Sequence, residues 1–152
     1  MRYAVGCDHA GFPLKATVVS ELCTLGHEVM DMGTDSDEAV DYSDFAVAVA
    51  EAVADGRADR GIVVCGSGVG ASVVVNKVPG VRGAMCHDSF SARQGVEDDD
   101  MNVLCLGARI IGPELAKEAI RSFERARFSG LERHQRRLDK TKAIEARYLR
   151  PS

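Results

Sequence analysis

Short apolar runs alternate with longer stretches whose apolar positions recur every three or four residues. Tyr3 to Cys7 reads as a buried strand. Residues 12–25 then place Leu14, Val18, Val19, Leu22 and Cys23 on one helical face, and Gly26 stops that helix. His27 to Asp31 predicts a second strand, and Gly33 to Asp41 a polar loop. Asp41 or Ser43 can cap a helix running to Asp55 through Phe45, Val47, Ala48 and Val53. Gly61 to Cys65 is continuously apolar, as in a sheet covered on both faces. A glycine-rich turn and a short helix to Asn76 follow. Further strands are predicted at Arg82–Cys86 and Asn102–Leu106, with helices over 89–97, Gly112–Arg127 and Glu132–Tyr148. This alternation predicts an α/β fold with a five-stranded parallel sheet and right-handed crossovers. Ligands of such sheets bind beyond the carboxyl ends of the strands. The residues there are Cys7-Asp8-His9, Cys65-Gly66-Ser67, Cys86-His87-Asp88 and Gly107.

The length of 152 residues fits one domain, 1–152. With 45% hydrophobic and 28% charged residues the composition is that of a globular chain, not a disordered one. The net charge of −4 gives no reason to expect nucleic acid. Its distribution is uneven: residues 121–150 hold ten Lys/Arg against four Asp/Glu, and the rest hold nine against nineteen. The basic segment is either a solvated helix face or an arm for an anion or another subunit. Five cysteines without a CxxC pair read as reduced thiols in a cytoplasm. Cys7, Cys23, Cys86 and Cys105 are expected to be small core residues. No secretory leader precedes the first strand-like run, so the N-terminus reads as mature. The longest uncharged stretch, Gly61 to Asn76, is too short to span a bilayer.

The strongest chemical signal is Cys65-Gly-Ser-Gly-Val-Gly-Ala71 after the third strand. Glycines allow a sharp turn and close approach to a ligand, and the following helix start offers free N–H groups to an anion. The same field favours the thiolate of Cys65, which can then abstract a proton while N–H donors stabilise the oxyanion formed. Other glycine-rich sites fail on spacing. No GxxxxGK[ST] is present, a cysteine phosphatase loop needs arginine where Ala71 stands, and the third glycine of GxGxxG comes one residue early at Gly70. Asp88 nevertheless stands at a suitable distance for a ribose contact. The plain alternative is a buried cysteine beside a structural turn. Asp8-His9 could hold a hydroxyl and a phosphate, or could be a cap and a surface histidine. Arg133 and Arg137 share a helix face and suit a phosphate dianion, or a solvated basic face. Glu97-Asp-Asp-Asp100 brings repelling carboxylates together, which favours keeping a proton on one of them, or else caps a turn. No His or Cys stands at metal-ligand spacing beside it, so no metal is expected.

Together these blocks resemble the type B ribose-5-phosphate isomerases, in the family that includes the galactose-6-phosphate isomerase subunits. The resemblance runs from Arg2 to about Tyr148. It rests on Gly6-Cys-Asp-His-Ala-Gly11, Leu14-Lys15, Gly33-Thr34, Asp41-Tyr42, Gly61 to Gly70, Asn76 to Gly80, Asn102-Val-Leu104, Gly107-Ala-Arg109 and Arg133-His134 with Arg137. It implies a doubly wound, Rossmann-like αβα sandwich and a homodimer or tetramer with active sites shared between subunits. It also implies no cofactor, no membrane or nucleic acid partner, and aldose–ketose isomerisation of a sugar phosphate through a cis-enediolate. By position, Cys65 is then the base, assisted by Ser67, and N–H groups of Gly66, Gly68 and Gly70 hold the enediolate oxygen. Asp8 binds sugar hydroxyls and Tyr42 lines the pocket. His9, Arg133 and Arg137 contact the phosphate, the arginines reaching over from a neighbouring subunit on the C-terminal helix.

One departure stands out. Many members carry His-Asn before the fifth strand, the histidine helping to open the sugar ring; here Asp98 and Asp99 occupy those positions. Asp98 then takes the catalytic place and Asp99 the substrate-binding one. Alternatively His87 or His9 opens the ring, or the substrate is acyclic, such as a tetrose phosphate. Ribose 5-phosphate is the first expectation for the substrate. Allose, galactose or erythrose phosphate are the alternatives, as is a non-catalytic protein that only binds a sugar phosphate.

Overall fold

The computed structural model describes residues 1–149. Six helices alternate with, and then follow, five strands: β1 (Arg2–Cys7), α1 (Phe12–Thr24), β2 (Glu28–Asp31), α2 (Tyr42–Ala54), β3 (Arg60–Cys65), α3 (Val69–Val75), β4 (Gly83–Met85), α4 (Ser89–Asp99), β5 (Val103–Gly107), α5 (Pro113–Arg125) and α6 (Glu132–Tyr148). The strands form one sheet in the order β2-β1-β3-β5-β4, every pair parallel. The expected α/β sandwich is therefore present. The chain adds β2 on one side of β1 and then places β3 on the other. That switch opens a crevice between the carboxyl ends of β1 and β3.

Alternation along the strands divides the core. Tyr3, Val5, Ile62, Val64, Leu104 and Leu106 face Leu14, Val18 and Leu22 of α1, Ala92 and Val96 of α4, and Ile120 and Phe123 of α5. Ala4, Val63, Val103 and Cys105 face Val49 and Ala50 of α2 and Ala71 and Val75 of α3. The second layer is built largely from alanine and valine, so α2 and α3 lie close to the sheet. Gly61 belongs to that approach, because a Cβ there would stand 2.4 Å from a Val49 methyl.

Several expectations need correcting. The buried side of α2 is Ala46, Val49, Ala50 and Ala52, not Phe45, Val47, Ala48 and Val53, because the close approach to the sheet favours small side chains there. Cys23 is exposed rather than in the core. Leu14, Val18 and Leu22 already fill the inner stripe of α1, and the next position turns outward. Helix α4 runs two residues beyond its expected end, to Asp99, and stops at Asp100 in the left-handed conformation (φ 52°). Asp98 and Asp99 therefore belong to a helical last turn, not to a loop before β5.

Arg60 at the start of β3 holds the end of α5. Its guanidinium donates to the carbonyls of Phe123 at 2.5 Å and Ala126 at 2.8 Å and lies 5.0 Å from the Phe123 ring centroid. Carbonyls at a helix end lack intrahelical partners, and a charged donor suits them. Arg60→Met is expected to lower unfolding free energy by about 1–3 kcal/mol in a urea titration. An unchanged midpoint would show that water replaces both bonds.

Candidate active site

The crevice between β1 and β3 is a cleft of about 380 Å³ lined by Asp8, His9, Tyr42, Cys65, Ser67 and Arg109, with Ala10, Gly66, Gly70 and Ile110 completing its wall. Seven of the twelve residues expected at the site thus meet in one place. Cys65 ends β3, where the strand gives way to the glycine turn. Gly68 takes a left-handed φ of 82°, which a side chain would resist. This conformation aims the Gly68 N–H at Cys65 Sγ, 3.1 Å away. Cys65 is 4% exposed, so the sulfur reaches the cleft through a narrow opening. Burial pushes Cys7 and Cys86 up to about 11, and burial raises Cys105 further, so these three stay protonated.

The turn's remaining donors are partly assigned. The N–H of Val69 donates to Ser67 Oγ at 3.2 Å. The Gly68 N–H is on the sulfur, while the N–H groups of Gly66, Ser67 and Gly70 have no partner among the loop and side-chain hydrogen bonds. The loop after β5 closes the other wall, where Ala108 N–H donates to the Cys65 carbonyl at 2.9 Å and Arg109 N–H to the Gly66 carbonyl at 3.0 Å. Arg109, the last residue of Gly107-Ala-Arg109, is a cleft residue that the sequence reading did not place at the site. Its position two residues past the end of a central strand is the signal that could have found it.

Asp8 is 6% exposed and accepts the Gly11 N–H on Oδ1 at 2.8 Å. It is thus both a cap and a cleft residue, with Oδ2 available to a hydroxyl. His9 Nδ1 accepts the Val40 N–H at 3.1 Å, so in the neutral ring the proton sits on Nε2. The loop carrying Val40 is held by Lys15, whose ammonium donates to the Thr34 carbonyl at 2.8 Å and pairs with Asp31 and Asp35 at 3.1 Å each. Tyr42, the first residue of α2, lies across Gly70, where a Cβ would come within 2.7 Å of its ring.

His87 does not join the cleft residues. Its Nε2 accepts the Gly107 N–H at 2.8 Å, and burial pulls its pKa down, so it stays neutral. Asp88 caps α4 by accepting the Ser91 N–H at 2.7 Å, which accounts for it without a ribose. The acidic run is not one cluster. Glu97 pairs with Arg93, Asp98 accepts from Gln94 and faces His134, and Asp100 pairs with Arg82. A proton shared among repelling carboxylates is therefore not what the fold builds, because successive helical positions point in different directions. Asp99 lines a separate hollow with Asn76, Arg82, Met101 and Leu138. Arg133 and Arg137 lie exposed on α6. Within one chain, Asp98, Asp99, Arg133 and Arg137 do not line the Cys65 cleft. Among the described residues no three His, Cys, Asp or Glu side chains converge as a metal site, and no helix is long and apolar enough to cross a membrane.

The family model described as Ribose/Galactose Isomerase matches residues 3–141. Ribose-5-phosphate isomerase B of Escherichia coli is 44% identical over 146 residues, covering 96% of this chain and 97% of that protein. D-erythrulose-4-phosphate isomerase of Pectobacterium atrosepticum is 44% identical over 128 residues, 84% of each chain. The solved structure of Clostridium thermocellum ribose-5-phosphate isomerase B superposes with a TM-score of 0.94 at 45% identity, covering 97% of this chain and 99% of that one. Matched across nearly its whole length in sequence and in fold, the chain belongs to the ribose/galactose isomerase family.

Proposed function

We propose that the protein interconverts ribose 5-phosphate and ribulose 5-phosphate through a cis-enediolate, with Cys65 as the base. The observation that carries this reading is a thiol at the end of a central strand, hydrogen-bonded to a glycine-turn N–H and sharing a cleft with Asp8, His9 and Arg109. The thiolate takes the C2 proton of the open-chain aldose and returns it to C1, while the hydroxyl proton moves from O2 to O1. The electron pair passes onto the oxygens in between, where the turn's free N–H groups stabilise it. Ser67 assists at the same turn, Asp8 accepts a sugar hydroxyl, and Tyr42 forms one wall. His9 Nε2–H and Arg109 face the phosphate. No metal or cofactor takes part.

A second copy of the chain completes the site in this reading. It brings Arg133 and Arg137 to the phosphate, and Asp98 and Asp99 to the sugar. Exposed Val69 and Val73 on α3, together with Ile110 at the cleft, supply apolar surface for that copy at the right place. The phosphate-binding role of Arg133 and Arg137 explains why a basic α6 stands on an acidic body.

Asp98-Asp99 in place of His-Asn favours a second reading, a tetrose phosphate that needs no ring opening. The similarity to a D-erythrulose-4-phosphate isomerase supports it. Comparing kcat/KM for ribose 5-phosphate, erythrose 4-phosphate, allose 6-phosphate and galactose 6-phosphate decides between the two. Ribose 5-phosphate is expected to lead by at least about tenfold, on the scale by which buried polar contacts discriminate substrates. A lead for the tetrose would replace the first reading with the second. Ligand-induced thermal stabilisation without turnover of any of the four would leave a sugar-phosphate binding protein.

A further inference from the structure

Asp98 is held by one hydrogen bond and faced by an imidazole. Gln94 donates its amide to Oδ2 at 2.7 Å from one turn earlier on α4. His134 Nε2 stands 3.4 Å from Oδ1. His134 is on the inner side of α6 and 7% exposed, and its Nδ1 lies 2.6 Å from Ser129 Oγ. Ser129 is fixed in turn, with its N–H on the Glu97 carbonyl at 3.0 Å and its Oγ accepting the Leu131 N–H at 3.2 Å. The serine hydroxyl can donate its proton to His134 Nδ1 while it accepts the Leu131 N–H. In that tautomer the imidazole proton sits on Nε2, the nitrogen that faces the carboxylate.

We infer that His134 is a positioning residue for Asp98 in opening the sugar ring, an inference that rests on the isomerase reading above. In this role Asp98 acts as a base and not as the acid that a histidine could supply. It takes the proton of the anomeric hydroxyl, and the O1–C1 bond becomes a carbonyl. The bond from C1 to the ring oxygen breaks with its electron pair on that oxygen, which takes a proton from a water. The hydroxide so formed recovers the proton from Asp98. A base works only if its lone pair is aimed, and His134 with Gln94 supplies the aim. The side chain of Asp98 remains 30% exposed, so an edge of the carboxylate is open to a substrate. Because Arg133 and Arg137 ride on the same helix as His134, the pair also fixes the base relative to the phosphate-binding arginines.

Exchange in D₂O separates this role from a structural one. Ribulose 5-phosphate cannot form a five-membered ring through its phosphorylated O5. Loss of its C1 proton passes through the enediolate and needs Cys65 but not ring opening. His134→Ala is expected to lower net isomerisation of ribose 5-phosphate about tenfold, less than the full contribution of a general base. Deuterium exchange at C1 of ribulose 5-phosphate, followed by NMR, stays within about twofold. His134→Gln, whose amide can donate to Asp98, recovers part of the loss. Asp98→Asn gives the same split, and the double variant is no worse than the poorer single one. Equal loss of exchange and isomerisation, or no loss of isomerisation, overturns the inference. Should His134→Ala fail to fold, Ser129→Ala tests it instead: it removes the proton directed at Nδ1 and must show the same split in smaller measure. If neither Ser129→Ala nor Asp98→Asn changes the ratio of the two rates, the inference falls. An unaltered protein that catalyses neither exchange nor isomerisation overturns the isomerase reading itself, and this inference with it.

Discussion

Cys65→Ala is expected to lower kcat for ribose 5-phosphate by about 10²–10⁴-fold, the span associated with losing a general base. Nothing else in the cleft can take over at that point. Asp8 gives Oδ1 to the Gly11 N–H and, in this reading, Oδ2 to a sugar hydroxyl; His9 Nδ1 accepts the Val40 N–H, and burial holds the other buried thiols protonated. The fold should survive, because Cys65 packs in the alanine- and valine-rich layer and alanine fits there. The main structural loss is the acceptor for the Gly68 N–H, a cost of about 1 kcal/mol. A coupled assay for ribulose 5-phosphate, run beside thermal unfolding, checks both halves. A well-folded variant with substantial turnover would remove Cys65 as the base. Mixing it with Arg137→Ala adds a test of the shared site. If one copy supplies the thiol and another the arginine, unfolding and refolding the two poor variants together restores part of the activity. If both come from one chain, it does not.

Gly107→Ala is expected to lower stability by about 1–3 kcal/mol, the usual cost of forcing extra atoms into a packed site, and to lower kcat/KM by about 10²-fold, the cost of misplacing reacting groups by an ångström. A Cβ at Gly107 would lie 2.5 Å from the Ser67 carbonyl carbon and oxygen and 2.8 Å from its Cα. Backbone cannot swing aside as a long side chain does. Gly107 is itself held, by its register opposite Cys65 and by its N–H on His87 Nε2. The Ser67 turn must therefore yield and carry the Gly68 N–H away from the sulfur. Gly112→Ala is the control, since a Cβ there meets nothing within 4 Å and its φ of −91° suits any residue. A Gly107→Ala protein as active and stable as the control would show that the turn is not pinned by β5.

Local physics made most of the frame legible. The unbroken apolar run before Cys65 could only be a strand covered on both faces, and the glycines after it could only be a tight turn at its carboxyl end. Asp8 and His9 were legible for the same reason, standing just past β1. The end of α4 was not. The helix expected over 89–97 left Asp98 and Asp99 outside it, yet Gln94–Asp98 pairs across one turn and Asp100 closes the helix in a left-handed conformation. Such pairs declare themselves only once the helix exists. The contact of His134 with Asp98 was further out of reach, because it depends on how α6 packs against α4. Arg109 lay in view, inside a recognised motif, and lacked only an argument for its direction. Cys23 shows the limit of helical spacing, which names a face several residues wide but not its edges.

The all-parallel sheet also shapes how the molecule comes into being. Each strand finds its neighbour only after a crossover has been closed, so the pairings are distant along the chain and folding is governed by slow, non-local contacts. On a ribosome the thiol of β3 emerges well before β5. Until the segment from Gly107 to Arg109 docks on Cys65 and Gly66, the sulfur has one wall and no closed pocket. The nascent chain thus passes through an interval in which the Cys65 sulfur is open to peroxide. A refolding reaction carried out with peroxide present should lose activity that the finished protein, given the same dose, retains.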